Sequence, residues 1–282
     1  MRLSRRRFLS VSAAAAVATP ASAQTIWQGI ALGTRAEIRL AAEPSLAGTA
    51  LLAARDAIER VEQAFSLYRK NSELNQLNRS GHLRMSPIFS ALVERVHLLQ
   101  RETDGLFDPS VGTLWRGLLG EPTGPVGWDK VAINGQDLSL PRGMTLTFNG
   151  IAQGFATDRV AHVLRAHGFH DVVVDIGEIW VGDGARRIGL PDRTRMTLRN
   201  SALATSAVDA LTVNGQSHIL HPRYGNVGWA GTTVEAGDAT TADALSTALT
   251  LSGGTKLAQD LLSTGLIKRA WLRGLDGSNV LL

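Results

Sequence analysis

Apolar residues recur at helical spacing in several separate stretches of the chain. Residues 45–65 carry an apolar stripe that ends at Phe65, and Ser45 is a candidate N-cap. Residues 87–103 repeat the pattern, with a proline in the first turn and Gly105 just after the end. Further helices are predicted over residues 73–78, 151–167, 240–251 and 255–263.

Other stretches have the patterns of strands. Residues 172–176 form a β-branched run that is typical of a buried strand. Residues 26–40 alternate loosely and are predicted to form one strand that crosses Gly33. Because strands and helices interleave without a regular β-α-β rhythm, the order favours an α+β fold of mixed antiparallel strands with four or five flanking helices. Further strands are predicted over residues 130–133, 137–140, 144–148, 178–182, 186–190, 195–199, 210–214, 217–220, 231–236 and 270–273.

The first 23 residues differ in composition from the rest of the chain. Four arginines and no acidic residue precede an alanine-rich apolar run that ends in Ala21-Ser22-Ala23. This order is typical of an export signal, and the paired arginines before Phe8-Leu9 indicate the twin-arginine type. We therefore expect residues 1–23 to be a signal peptide and residues 24–282 to form one domain in the periplasm. An alanine-rich surface helix is the alternative.

Composition removes several classes of function. The chain has 29 Lys+Arg against 25 Asp+Glu, and four of the arginines belong to the predicted signal. The remaining chain therefore has no basic excess, and we expect no nucleic-acid partner. The absence of cysteine excludes disulfides, iron–sulfur clusters and a cysteine nucleophile. No apolar run is long enough to predict a membrane-spanning helix.

Residues 147–158 join an apolar strand to a helix through the turn Asn149-Gly150. The helix begins with small residues and Gln153, so that unpaired N–H groups and the positive end of the helix dipole would be open to a phosphate. Glycines at a helix start also serve tight packing, which is the alternative explanation.

A second group of candidates lies on the helix predicted over residues 240–251. Asp243 and Thr247 are four residues apart, so their side chains share one helix face. Both are hard oxygen ligands suited to Mg²⁺. The alternative is that Asp243 only stabilises the helix N-terminus.

Two histidines, His218 and His221, lie three residues apart, and His221 immediately precedes Pro222. No third ligand stands at metal-binding spacing beside them, so a zinc site is not predicted. A neutral imidazole can accept a proton near neutral pH, which makes both histidines candidate general bases.

The last sequence evidence is a set of six short segments that follow one another along the chain. They are Gly33-Thr34, Phe65-Ser66-Leu67-Tyr68, Gly105-Leu106-Phe107-Asp108-Pro109-Ser110-Val111-Gly112, Gly150-Ile151-Ala152-Gln153-Gly154-Phe155-Ala156-Thr157-Asp158, Ala204-Thr205-Ser206 with Ser217-His218-Ile219, and Ala242-Asp243-Ala244-Leu245-Ser246-Thr247-Ala248. Together they resemble the motifs of the ApbE family, flavin transferases that move FMN from FAD onto a protein hydroxyl. The resemblance runs from about Gly33 to Val280, which is nearly the whole of residues 24–282.

The resemblance implies an ApbE-like fold and a role for each matched position. Tyr68 is similar to the residue that stacks on the flavin. Magnesium would be held by the backbone oxygen of Gly150 and by the side chains of Asp243 and Thr247. The other implied FAD contacts are Leu32, Leu106, Phe107, Asp108, Thr147, Gln153 and Leu220, with Leu106 to Asp108 on the adenine side.

The chain departs from the family pattern at four positions. The family usually has Asp where Thr147 and His221 stand, a second glycine where Glu178 stands, and sometimes an acid in place of Thr240. The expected function is a Mg²⁺-dependent FAD:protein FMN transferase that releases AMP, of a NosX-like periplasmic branch. Its expected partner is an acceptor flavoprotein, NosR-like or an Rnf/Nqr-like subunit. The alternatives are a non-catalytic FAD-binding assembly factor and an FAD pyrophosphatase.

Overall fold

The computed structural model describes residues 24–190, 194–223 and 225–282, so the predicted signal peptide lies outside the described residues. Within these ranges the helices are α1 Pro44–Phe65, α2 Glu73–Ser80, α3 Pro87–Glu102, α4 Gly112–Leu118, α5 Ala152–Ala166, α6 Ala239–Leu251 and α7 Lys256–Ser263. The strands are β1 Thr25–Ala31, β2 Thr34–Leu40, β3 His82–Arg84, β4 Ala132–Asn134, β5 Asp137–Ser139, β6 Val172–Asp175, β7 Ile179–Val181, β8 Arg186–Gly189, β9 Arg195–Leu198, β10 Ser201–Ala207, β11 Thr212–Val213, β12 Gln216–Ser217, β13 Gly231–Ala236, β14 Ile267–Arg273 and β15 Asn279–Leu281.

Eight strands form one antiparallel sheet in the order β1-β2-β6-β7-β10-β13-β14-β15. Strand β10 is central and pairs with β7 on one side and β13 on the other. Three small sheets lie outside it: the hairpins β8-β9 and β11-β12, and the set β3-β5-β4. The predicted α+β class with mixed antiparallel strands and flanking helices is confirmed.

Helices α5 and α6 cover one face of the large sheet, and α1 packs on α5. The alanine-rich surface of α6 lies directly on β10 and β13. On the opposite face the β8-β9 hairpin closes a second apolar cluster, in which Ile188 and Met196 pack with Val181 and Leu203. Among the described residues, no helix combines the length and the apolarity that crossing a bilayer requires.

A cluster of four phenylalanines joins the helical layer to the segment that precedes α5. Phe65 ends α1, Phe89 lies on α3, Phe148 precedes α5 and Phe155 lies within it. The ring of Phe65 lies 5.1 Å from that of Phe89 and 5.5 Å from that of Phe148, between centroids. Aromatic pairs at this separation contribute packing beyond their buried area. The cluster fixes the position of the α5 N-terminus relative to α1.

The single strand predicted over residues 26–40 is in fact the hairpin β1-β2. Leu32 (φ 49°) and Gly33 (φ 80°) form its two-residue turn. Positive φ at both central positions is the requirement of a type I′ hairpin turn. The prediction was wrong because a leucine at the first position carries no turn signal.

Residues 144–148 were also predicted as a strand, and the structure has none there. The amide of Thr145 donates to Thr113 Oγ1, that of Leu146 to Asn78 Oδ1, and that of Thr147 to the Pro109 carbonyl. Two side chains and a distant backbone carbonyl thus accept the hydrogen bonds that a neighbouring strand would otherwise accept. This tethers the segment that leads into α5.

Candidate functional site

A cavity of about 210 Å³ lies where the N-terminus of α5, the face of α6 and the end of β10 meet. Loops after α1, α3 and β12 complete its walls. Every site residue predicted from the sequence lines this cavity except His221; the lining members are Leu32, Tyr68, Leu106, Phe107, Asp108, Thr147, Gly150, Gln153, His218, Leu220, Asp243 and Thr247.

The loop after α1 presents Tyr68 to the cavity, and this residue is 73% exposed. Asn75 holds this loop, because its side-chain amide donates to the carbonyls of Ser66, Leu67 and Arg69 at 3.1, 3.0 and 2.9 Å. An exposed aromatic ring on a fixed loop offers a flat surface on which another ring can stack.

The turn after α3 places Phe107 and Asp108 in the wall. Both carboxylate oxygens of Asp108 accept backbone bonds, from Ser110 at 2.8 Å and from Trp128 at 2.9 Å. The carboxylate therefore fixes the turn itself, and Phe107 beside it is 4% exposed. Leu106 is the more accessible apolar residue of this wall.

The start of α5 differs from the open phosphate cradle that the sequence suggested. The amide of Ala152 donates to the Phe148 carbonyl at 2.8 Å, and the amide of Gly154 donates to Asp243 Oδ2 at 3.0 Å. A Cβ at position 154 would lie 2.2 Å from the Ala239 carbonyl oxygen. For Gly154 the alternative explanation, tight packing of α5 on α6, is the one that the structure supports.

Asp243 is not the cap of its helix. The N-cap of α6 is Asp238, which accepts from the Thr241 amide at 2.8 Å. Asp158 on α5 accepts from the amides of Ala239 and Thr240, both at 2.8 Å, and so fixes the first turn of α6. Because Asp238 and Asp158 accept the amides of the first turn of α6, Asp243 is not needed to stabilise the helix N-terminus.

Three oxygen-bearing groups meet beside Asp243. Thr247 lies one helical turn further on, and its Oγ1 is 3.2 Å from Ser206 Oγ. Gly150 lies against it, since a Cβ at position 150 would come within 3.0 Å of Thr247 Oγ1. The predicted set of Gly150, Asp243 and Thr247 is therefore brought together.

Asp243 is 3% exposed, and burial raises its pKa to about 7. The bond from Gly154 opposes this shift, and the charge of Asp158 adds to it. Glu178, from the β6-β7 turn, is 7% exposed and lines the same cavity. Burial raises the pKa of Glu178 well above its usual range, with Asp243 as the next cause.

The two buried carboxylates of Asp243 and Glu178 have no lysine or arginine beside them among the described residues that line the cavity. Two buried anions without a positive partner are costly. In the described part of the chain, no three His, Cys, Asp or Glu side chains converge as a metal cluster. A small set of oxygen groups with open positions fits Mg²⁺, which keeps waters and binds substrate phosphates.

Asp175 ends β6 just before the β6-β7 turn, and its carboxylate accepts from the Gly177 amide at 3.1 Å. Burial raises the pKa of Asp175 to about 6, and the charge of Glu37 adds to the shift, against 3.8 for a free side chain. The folded protein then binds more protons than the unfolded chain between those pH values. This carboxyl therefore costs stability as pH rises from about 4 to about 6, and the loss persists above it.

Asp175→Asn is expected to remove this pH-dependent cost, because the amide oxygen can still accept from Gly177. The variant should match the wild type near pH 4 and exceed it above pH 6.5 by roughly 2–3 kcal/mol in the free energy of unfolding. Urea unfolding of the metal-free proteins between pH 4 and 8 measures the difference. A difference that does not change with pH would contradict the expectation.

His218 reaches the cavity from the segment after β12. Its Nδ1 lies 3.0 Å from the Leu211 carbonyl oxygen, which can only accept, so Nδ1 carries the proton and Nε2 has the free lone pair. Burial lowers the pKa of His218 below 6.5, although the Leu211 bond opposes the shift. The ring is thus neutral at pH 7 with one nitrogen able to accept a proton.

His221 does not line the cavity with the other predicted residues. Its Nδ1 accepts the Arg223 amide at 3.1 Å, so in the neutral ring the proton is on Nε2. The ring packs against Gly225, where a Cβ would lie 2.7 Å from Nε2. Burial and the charge of Arg223 lower the pKa of His221. The contacts of His221 are therefore with residues of its own loop, Arg223 and Gly225.

Trp115, Glu178 and Ser206 are among the residues that line the cavity and were not selected from the sequence. Ser206 belongs to the matched Ala204-Thr205-Ser206 segment and bonds both Ser246 and Thr247. Glu178 was visible only as a departure from a Gly-Gly pair.

The structure is thus an antiparallel α+β domain with one cavity that holds an exposed tyrosine and a buried group of oxygen ligands. The ApbE family model matches residues 32–266, and the chain belongs to the ApbE family. A curated relative, the FAD:protein FMN transferase of Vibrio cholerae serotype O1, is 28% identical over 190 residues. That match covers 58% of this chain and 56% of the relative, so it spans little more than half of the relative's length.

Solved structures resemble the fold over most of its length. The flavin transferase ApbE from Vibrio cholerae has a TM-score of 0.77 at 24% identity, over 92% of this chain and 96% of that one. The apo flavinyl transferase ApbE of Pseudomonas stutzeri gives 0.77 at 22% identity, over 94% and 97%. The ApbE protein of Thermotoga maritima gives 0.74 at 23% identity, over 91% and 96%.

Proposed function

We propose that this chain is a Mg²⁺-dependent FAD:protein FMN transferase. The observation that carries the proposal is the single cavity in which an exposed Tyr68, the Asp243 oxygen group and a neutral His218 face one space. Membership of the ApbE family and the named activity of the Vibrio cholerae relative support the same reaction.

In this reaction a threonine or serine hydroxyl of an acceptor protein attacks the FMN phosphorus of FAD. The new phosphate ester forms as the pyrophosphate bond breaks, AMP leaves, and the hydroxyl proton passes to His218 Nε2. Tyr68 stacks on the isoalloxazine ring, and Leu106 contacts the adenosine half. Gly150, Asp243 and Thr247 are the residues that would hold Mg²⁺, which neutralises charge on the pyrophosphate when bound.

The cellular setting is part of the proposal and depends on the sequence. The arginine-rich leader supports export to the periplasm by the twin-arginine route. An acceptor flavoprotein of a respiratory complex, NosR-like or an Rnf/Nqr-like subunit, would then be the partner, and a NosX-like branch the lineage.

The direct test incubates residues 24–282 with FAD, Mg²⁺ and an acceptor that carries a serine- or threonine-rich target segment. Covalent flavin fluorescence on the acceptor after denaturing electrophoresis is the expected result. Release of FMN and AMP without labelling would indicate an FAD pyrophosphatase. FAD binding with neither product would indicate a non-catalytic assembly factor.

We expect the protein to bind FAD at least about tenfold more tightly than FMN, because the wall formed by Leu106 and its neighbours contacts only the larger ligand. Calorimetric titration with each flavin measures this preference. Leu106→Ala should weaken FAD binding alone, whereas Tyr68→Ala should weaken both, since both ligands contain the isoalloxazine ring. Equal affinities for FAD and FMN in the wild type would contradict the assignment of this wall.

A further inference from the structure

Glu178 is a buried carboxylate with no place in the reaction described so far. Its backbone carbonyl accepts from Thr157 on α5 at 3.2 Å, and its carboxylate accepts from the Thr205 amide on β10. Gly177 before it has φ 87°, which makes the tight turn after β6 possible. Three separate elements therefore hold Glu178 at the cavity.

The position of this carboxylate is difficult to explain as packing alone. A glutamine would satisfy the Thr205 amide equally well and would bring no charge into a buried site. Instead Glu178 lines the same cavity as Asp243, and the charge of Asp243 adds to the effect of burial in raising the pKa of Glu178. His218 is the one basic side chain among the described lining residues, and its lowered pKa leaves it neutral.

The groups around Asp243 and Glu178 that could bind a cation all offer oxygen atoms. The side chains are the carboxylates of Asp243 and Glu178 and the hydroxyl of Thr247, with the backbone of Gly150 beside them. Such a set matches the hard divalent cations Mg²⁺ and Mn²⁺. The chain also has threonine at positions 147 and 240, where the resemblance leads one to expect acids, so Glu178 can supply a negative charge that those positions do not.

We infer that Glu178 is a direct ligand of the divalent cation held at Asp243, and that the cation site of this chain contains two carboxylates. The inference deepens the proposed function and rests on it for the location of the cation. It adds a ligand that the matched motifs do not contain.

The test measures cation binding without any flavin. Mn²⁺ is titrated into residues 24–282 at pH 7.5, and free Mn²⁺ is followed by electron paramagnetic resonance. Glu178→Gln should raise the dissociation constant at least about tenfold, as should Asp243→Asn, because each removes a charged ligand. Glu178→Asp, which keeps the charge on a shorter arm, should retain part of the affinity.

Glu235→Gln is the matched control. Glu235 is a buried glutamate on β13 of the same sheet, but it bonds Ser201 and Arg269 outside the cavity. This variant should bind Mn²⁺ within twofold of the wild type. Thermal melting gives a second readout: Mg²⁺ should raise the melting temperature of the wild type and of Glu235→Gln, but much less that of Glu178→Gln.

Unchanged Mn²⁺ affinity in folded Glu178→Gln would overturn the inference, as would a wild type that binds no Mn²⁺ at millimolar concentration. The flavin-transfer assay separates this failure from failure of the proposed function. A wild type that labels its acceptor, together with a Glu178→Gln variant of normal Mn²⁺ affinity, refutes the ligand alone. A wild type that labels nothing but loses Mn²⁺ binding on Glu178→Gln refutes the transferase alone.

Discussion

Asp243→Asn is expected to abolish flavin transfer while the fold persists. The asparagine oxygen can still accept the Gly154 amide, so the contact between α5 and α6 is kept. The change removes the negative charge that would offset a bound cation. Loss of an outer partner in a metal site costs about 10–100-fold, so removal of a charged ligand should lower turnover of FAD by at least about 100-fold. Steady-state release of AMP against Mg²⁺ concentration measures the loss.

The same substitution five residues earlier in the chain supplies the control. Asp238 caps α6 and pairs with Arg95, outside the cavity. Asn is as good an N-cap as Asp, and an ion pair between partly exposed side chains contributes little, so Asp238→Asn should keep its activity. Normal turnover in Asp243→Asn would show that the carboxylate serves only to join the two helices.

The sequence predicts the helices of this fold better than its strands. The apolar stripes and their punctuation place α3, α5 and α6 within one residue at each end, because Pro87, Gly168 and the small-residue start of α6 mark local boundaries. Central β10 has no such signal. Its residues, Ser-Ala-Leu-Ala-Thr-Ser-Ala, have low strand propensity and form a strand because β7 and β13 pair with them.

The residues of the site also fall into two groups, those that the sequence selects and those that only the fold brings together. Motifs in order along the chain are enough to select Tyr68, Asp243 and Thr247, and the structure brings them to one cavity. Glu178 is different, because its approach to Asp243 depends on the turn after β6 meeting α5 and β10 across the fold. A spacing rule within one helix or strand cannot report a contact that three elements create.

The choice between the two histidines shows the same limit. Three residues apart in the chain, His218 and His221 are equivalent candidates by composition. The bond to the Leu211 carbonyl puts the proton of His218 on Nδ1, so its Nε2 can accept a proton, and His218 lines the cavity. His221 does not line the cavity, and its Nδ1 already accepts the Arg223 amide. The tautomer of each ring is set by backbone groups whose direction depends on the loop around β11-β12.

His218→Asn is therefore expected to lower the rate of flavin transfer by about 10²–10⁴-fold, the usual contribution of a general base. The asparagine amide can still donate to the Leu211 carbonyl, so the segment after β12 should keep its conformation. Wild-type activity should fall as pH decreases through the pKa of His218, because imidazolium cannot accept the hydroxyl proton. Burial lowers that pKa, so the acid limb should lie below pH 6.5.

His221→Asp decides between the candidates, since it introduces the residue that the family usually has at this position. If His218 is the base, the variant should keep the wild-type acid limb, while His218→Asn loses it together with the activity. Transfer rates with saturating FAD and acceptor from pH 5 to 8 give all three profiles. An acid limb that moves lower in His221→Asp, with His218→Asn still active, would assign the proton transfer to His221. Its Nδ1 would then have to release the Arg223 amide before the hydroxyl of the acceptor could be deprotonated.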